Sequence, residues 1–271
     1  MPVKQQYAAF HTANRMQLEI HHFARGTFPV RSRSFDSMPV NRFFLVISNP
    51  RGNCCRIEDS EHSFVLKPGA AYFAPLHHNC HFLLDDKAEF ISIHFTLELY
   101  EGIDIFSGFG KVCEICDPTW LRRAEKAFET RLEFPAALQL RGIVSDFAAL
   151  LGESITAEQW ESVTRFALFR KELEYLQSRP PAQVTVDELA ELHGVTRECF
   201  SRKFTRITGI SPKRFLTHVL LSRACRKLLS ENLTVREIAA ALGFSNEFYF
   251  SRFFSKHTGL PPKEYRSTIL K

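Results

Sequence analysis

At 271 residues the chain has length for two compact domains, and its 45% apolar and 24% charged composition excludes a disordered, collagen-like or disulfide-stapled protein. The formal net charge of +5 is unevenly divided: residues 163–271 carry 19 Lys and Arg against 10 Asp and Glu, net +9, and the first 162 carry 16 against 20, net −4. A basic half suits a polyanion such as DNA, whose condensed counterions are released when phosphates are neutralised, and equally describes a solvated basic surface.

The opening Met1-Pro2-Val3-Lys4-Gln5-Gln6 lacks the basic-then-apolar layout of a secretory signal. The apolar runs Phe43–Ser48 and Phe90–Phe95 fall well short of the roughly 18 residues of a membrane-spanning helix. The expectation is a cytoplasmic protein with no membrane helix and with its seven cysteines as free thiols. From Met16 to Phe95, short runs rich in Phe, Val and Ile predict antiparallel strands at Met16–Phe23, Arg42–Ile47, Cys54–Glu58, Ser63–Leu66, Ala71–Ala74 and Glu89–Phe95. Turns fall at Asn49-Pro50-Arg51-Gly52-Asn53, Asp59-Ser60 and Lys67-Pro68-Gly69, and strands so spaced favour a barrel or sandwich.

Past Asp117 the period becomes helical. Pro118 suits a first turn, and Leu121, Ala124, Phe128 and Leu132 follow on one face until Pro135, which is expected to end the helix. Further helical stripes run over Leu138–Leu151 and Trp160–Leu176, and Arg179-Pro180-Pro181-Ala182 reads as a loop. The helices before the basic half suit either a dimerisation face or packing onto the barrel.

An internal repeat dominates the last hundred residues. Phe200-Ser201-Arg202-Lys203-Phe204 returns as Phe250-Ser251-Arg252-Phe253-Phe254, and Thr208-Gly209-Ile210-Ser211-Pro212-Lys213 as Thr258-Gly259-Leu260-Pro261-Pro262-Lys263, at an offset of 50. Upstream, Glu188-Leu189-Ala190 matches Glu237-Ile238-Ala239 at an offset of 49. Each copy reads as a helix-turn-helix: a helix capped by Thr185 or Asp187 (Thr234 in the second copy), a small Ala190 (Ala239) at the crossing, a turn at Gly194 (Gly243), and a second helix capped by Thr196 (Ser245). Phe200 and Phe204, like Phe250 and Phe254, point to one core at i, i+4 spacing, which leaves Arg197, Ser201, Arg202 and Arg206, and Asn246, Glu247, Ser251 and Arg252, off the apolar seam. Pro212 opens a connector whose Phe215, Val219, Leu220, Ala224 and Leu228 would join the copies rigidly, so that both second helices could enter successive major grooves.

The stretch Ile238-Ala239-Ala240-Ala241-Leu242-Gly243-Phe244-Ser245, with Tyr249-Phe250-Ser251-Arg252-Phe253-Phe254, Thr258-Gly259, Pro261-Pro262 and Tyr265-Arg266, resembles the signature of the AraC/XylS family of bacterial transcription regulators over Val163 to Ile269. The resemblance implies two DNA-binding units acting on double-stranded promoter DNA, most often to activate, with RNA polymerase as a partner. It places Glu198, Ser201 and Arg202 in the first unit and Glu247, Phe248, Ser251 and Arg252 in the second towards the bases. An arginine there can grip guanine O6 and N7 or hold a phosphate, and Glu198 can accept from cytosine or balance helix charge.

Upstream, Val65-Leu66-Lys67-Pro68-Gly69, Ala74-Pro75, His81 and Ile91-Ser92-Ile93-His94-Phe95 resemble the cupin-type sensor barrel of that family. This implies a small-molecule effector, such as a carbohydrate, in the barrel, with His77, His78, His81 and His94 as pocket candidates and Phe43, Phe44 and Phe73 as wall or core. The same histidines also allow a metal reading, and cupins include metal-dependent enzymes, but no acidic partner stands at ligand spacing, so neither metal nor other cofactor is expected. Cys54-Cys55 and Cys113-Glu114-Ile115-Cys116 carry a weak redox or zinc signal, and Cys199 reads as packed. The fold expected is two-domain α+β: a cupin-like barrel over 1–115, a helical linker or dimerisation region over 116–162, and an all-α domain with two helix-turn-helix units over 163–271. The function expected is that of an effector-controlled, homodimeric regulator rather than an enzyme. The alternatives are constitutive DNA binding and a metal-dependent barrel enzyme.

Overall fold

The computed structural model of the chain describes residues 3–27, 31–35, 38–52, 55–230 and 232–269, so Cys54 and Asn53 lie outside the described residues. Helix α1 (Val3–Arg15) leads into a barrel of two facing antiparallel sheets. One contains β1 (Gln17–Thr27), β8 (Glu89–Tyr100), β3 (Asn41–Ser48), β6 (Ala71–Ala74) and β10 (Cys113–Ile115) in that order, with β9 (Ile103–Asp104) on the far end of β8. The other contains β2 (Arg31–Phe35), β7 (Cys80–Leu84), β4 (Arg56–Glu58) and β5 (Ser63–Val65).

Strand alternation divides the aromatic residues of β3 between two cores. Phe44 and Val46 face the barrel interior with Ile57, Leu66, Tyr72, Phe82 and Phe90. Phe43 and Leu45 face outward with Phe73, Ile91, Ile93 and Phe95, and are covered by α2 (Thr119–Glu129) and α3 (Glu133–Gly152) through Trp120, Val144 and Phe147. Phe43 stacks on Phe147 with centroids 3.7 Å apart. Phe43 and Phe73 are therefore outer core, and only Phe44 of the three lines the interior.

Helix α2 ends at Glu129, and Pro135 does not terminate it: the proline stands in the first turn of α3, where amides have no partner within the helix and proline costs little. Helix α3 has the length and apolarity to cross a membrane, which the expected split at Pro135 concealed; its Ile143, Val144, Phe147, Ala148 and Leu151 cover the sheet, while Phe134, Leu138 and Leu150 are exposed. The expected helix over Trp160–Leu176 is broken. Helix α4 (Ala157–Thr164) gives way to a 3-10 segment (Arg165–Phe169) before α5 (Arg170–Gln177), and the tighter winding brings Phe166 and Phe169 into the same core.

The basic half follows as α6 (Val186–His193), α7 (Arg197–Thr208), α8 (Pro212–Ser230), α9 (Val235–Leu242), α10 (Glu247–Thr258) and α11 (Pro262–Ile269). Helix α8 serves two cores. Phe215 and Val219 join Phe200 and Phe204 of the first unit, while Leu220, Leu221, Ala224, Cys225 and Leu228 join Phe250 and Phe254 of the second.

The barrel also sits on α8. Glu101 takes a two-pronged ion pair from Arg223 (2.5 and 2.6 Å), Ser222 Oγ donates to Glu98 (2.8 Å), and Arg226 Nε donates to Glu19 (2.6 Å). Gly102, at φ +73, lies so close to Val219 that an added Cβ would stand 2.9 Å from its Cα. Met38 and Val40, from the loop before β3, are buried in the core of the second unit.

Candidate nucleic-acid interface

In the first unit the side chain of Thr185 accepts the amide of Glu188, whose carboxylate accepts from the Thr185 amide, so Thr185 rather than Asp187 is the cap of α6. Thr234 and Glu237 repeat the arrangement in α9. Gly194 (φ +73) and Gly243 (φ +88) then make the left-handed turn that glycine adopts without a Cβ penalty. Thr196 caps α7 through the Cys199 amide. The cap of α10 is Asn246, not Ser245: its Oδ1 accepts the amides of Phe248 and Tyr249, both at 3.0 Å. The inserted residue that shifts the repeat offset from 49 to 50 moves the cap along by one.

Phe200 and Phe204 are buried against Phe166, Phe169 and Phe215, and Phe250 and Phe254 against Phe244 and Tyr265. With these inside, Glu198, Arg202 and Arg206 are exposed on α7 and Ser201 half-buried; on α10, Phe248 and Arg252 are exposed and Glu247 and Ser251 half-buried. The two faces match at Ser201 and Ser251 and at Arg202 and Arg252. Arg252 is held one turn back over the Tyr249 ring, 4.9 Å from its centroid. Arg197 is exposed but pairs with Asp187 of α6 at 2.8 Å, and Asn246 commits its side-chain oxygen to the cap. Cys199 is exposed on α7 rather than packed.

One brace of the first unit had no sequence signal. Buried Glu172 of α5 bonds His193 Nδ1 at 2.6 Å, and Lys203 Nζ of α7 meets His193 Nε2 at 2.8 Å, which ties the recognition helix to α5. At the position of Lys203 the second unit has Phe253, which packs on Phe244 and His257.

The four barrel histidines do not converge. His77, at φ +55, stacks on His218 of α8 with centroids 3.8 Å apart. His78 bonds Asp59 at 3.0 Å, an acidic partner that linear spacing had hidden. Burial would raise the Asp59 carboxyl, but hydrogen bonds from the Val112, Glu61 and His62 amides and from His78 outweigh it and hold the group well below the usual carboxylate range. His81 lies within β7, opposite Glu58 of β4. His94 alone faces the interior, packed on His22 at 4.8 Å, with His22 bonded to Ser92 (2.9 Å) and Arg42 Nη2 to Cys80 Sγ (3.0 Å) nearby. Burial, then electrostatic interaction with His22 and Arg42, pushes the His94 pKa well below its ordinary value. Further along the interior, the gap between Phe44, Leu66, Phe82, Leu84 and Phe90 has no room for a water-sized guest. Among the described residues no group of three His, Cys, Asp or Glu side chains is placed to hold a metal ion.

Two three-helix units on one shared α8, each presenting an exposed recognition helix, define a double helix-turn-helix domain. Residues 189–268 match the model of a family described as "Helix-turn-helix domain". The chain is 36% identical over 95 residues to an uncharacterized HTH-type transcriptional regulator, YobQ, of Bacillus subtilis, and 32% identical over 91 residues to a putative AraC-like transcription regulator of Streptomyces lividans. These matches cover 35% and 34% of this chain and span only 39% and 30% of those relatives. Over the whole chain the fold resembles unsaturated fatty acid-bound ToxT of Vibrio cholerae, with a TM-score of 0.58 at 9% identity, covering 94% of this chain and 95% of that one. The last third of the molecule is an AraC-type helix-turn-helix domain, carried behind a β-rich domain in a ToxT-like two-domain fold.

Proposed function

We propose that the chain is a sequence-specific DNA-binding transcription regulator that inserts α7 and α10 into the major groove, with Arg202 and Arg252 gripping guanine edges and Ser201, Arg206, Glu247 and Ser251 beside them. The carrying observation is the shared connector: α8 is buried in both cores, so the two recognition helices are held in one fixed relation, as a two-part operator requires. Selection of bound duplexes from a random library with the full-length protein tests this. An enriched two-part motif is expected, with Arg202→Ala and Arg252→Ala each relaxing one part at a cost of about 1–3 kcal/mol. Uniform, salt-sensitive binding without a motif would defeat it.

The barrel is read as the sensor. Its interior has a polar end, formed by His22, Ser92, His94, Arg42 and Cys80, which suits a small polar effector such as a carbohydrate. Because the barrel rests on α8, occupancy there can bias how the DNA-binding half as a whole is presented to an operator. Exposed Phe128, Leu132, Phe134 and Leu138 at the elbow between α2 and α3 support a homodimer through that face. The tightly filled aromatic end of the barrel favours a second reading, constitutive DNA binding. A compound that raises the melting temperature and changes operator affinity decides for the sensor.

A further inference from the structure

We propose that Phe248 reads the methyl group of a thymine, so that the two units recognise chemically different half-sites; this rests on the DNA-binding reading above. Phe248 is the second residue of α10 and is 69% exposed, while Phe244, Phe250, Phe253 and Phe254 of the same unit all make ring contacts in or against its core. It lies one turn from Arg252 on the same side of the helix, opposite Phe250 and Phe254. Side chains on a helix lean towards its N-terminus, so the ring projects past the end of α10 that enters a groove first.

The repeat provides an internal control. At the offset of 50, Ser251 and Arg252 correspond to Ser201 and Arg202, whereas Phe248 corresponds to Glu198, which is also exposed. The carboxylate of Glu198 can accept only from a donor, and in the major groove the donors are the amines of cytosine and adenine. A phenyl ring cannot form such a bond; its complement on a base edge is the thymine C5 methyl. The phenyl is exposed in the free protein, so contact with the methyl removes apolar surface of both partners from water.

The test replaces each thymine of the second half-site in turn by deoxyuridine, which lacks only the methyl, and measures binding of the full-length protein. One position is expected to weaken binding by about four-fold, the value of one buried methyl group. Phe248→Ala should bind the thymine and deoxyuridine duplexes equally and leave the first half-site's preferences intact, with the melting temperature unchanged. Selection with Phe248→Ala should lose the thymine at that position alone. If every thymine tolerates deoxyuridine, or the variant keeps the discrimination, the assignment is wrong and the exposed ring belongs to a protein contact. If the wild type selects a motif with no thymine in the second half, the assignment fails while the regulator reading stands; if it selects no motif, both fail.

Discussion

The first helix-turn-helix unit buries Phe200 and Phe204 against Phe166 and Phe169, from helices that precede it, whereas the second buries Phe250 and Phe254 against Tyr265 of α11 and takes in Met38 and Val40 from the barrel. Phe215 of α8 stands to the first unit as Tyr265 does to the second, at the same offset of 50. Their outer charges differ further: Asp187 and Arg197 correspond to Arg236 and Glu247, the same pair with signs reversed. Duplication conserves what packs a helix-turn-helix core. It leaves the bracing and the exposed faces free to diverge: the second unit takes Met38 and Val40 from the barrel, while the first takes Leu99 and Ile103 from it in addition to the helices that precede it.

The sharpest way to break this arrangement is Arg223→Ala. Arg223 pairs with Glu101 and also donates to the carbonyl oxygens of Leu176 and Arg179, so it ties together the barrel, α8 and the end of α5 with little solvent exposure. Removing one partner of such a pair leaves a poorly solvated carboxylate, and a loss of about 3 kcal/mol in urea unfolding is expected. A double-mutant cycle with Glu101→Ala should return a coupling above about 1 kcal/mol; simple additivity would mean that the barrel is not anchored through this pair.

Acid should act at the same seam more weakly. Burial, with Arg214 secondary, lowers the His218 pKa from 6.5 to about 4, and burial with Arg226 lowers His21 to about 4. Both are neutral in the fold, while the unfolded chain takes up a proton below 6.5, so stability is full above pH 6.5 and is lost as the pH falls towards 4. Each histidine should remove on the order of 1–2 kcal/mol between pH 7 and pH 5. His218→Phe, which keeps a ring to stack on His77, should flatten that slope in urea midpoints measured at the two pH values; an unchanged slope would place the acid sensitivity elsewhere.

The repeat was the legible part of this molecule because it is local: Phe spacing, threonine caps and turn glycines all act within a dozen residues, and the cores they predict are the ones observed. The Ser245 error shows the limit, since a one-residue insertion at a turn moves a cap without disturbing any periodic signal. In the barrel, β8 continues past the expected end at Phe95 to Tyr100, through the polar Thr96 and Glu98. Both meet distant partners: Thr96 bonds His21, and Glu98 bonds Ser222. The seat of the barrel on α8 joins residues more than a hundred positions apart and leaves no pattern along the chain. The histidines scatter because the β6–β7 turn sends His77 to α8 and its sequence neighbour His78 to Asp59.

The smallest effect sharpens the contrast in outer charges. Arg197 and Asp187 are 57% and 61% exposed, so their ion pair contributes little, and Asp187→Ala should change stability by less than about 1 kcal/mol. It should nevertheless alter DNA binding through the first unit. Paired to Asp187, the guanidinium is already neutralised; released, it can take a phosphate and displace a condensed counterion, which steepens the dependence of log affinity on log salt by about one unit. The corresponding change in the second unit, Arg236→Ala, removes a cation instead of a carboxylate and should leave the slope equal or shallower. Equal slopes for wild type and Asp187→Ala would mean that Arg197 points away from the phosphates, and that the reversed charges distinguish the two units in how they fold rather than in how they bind.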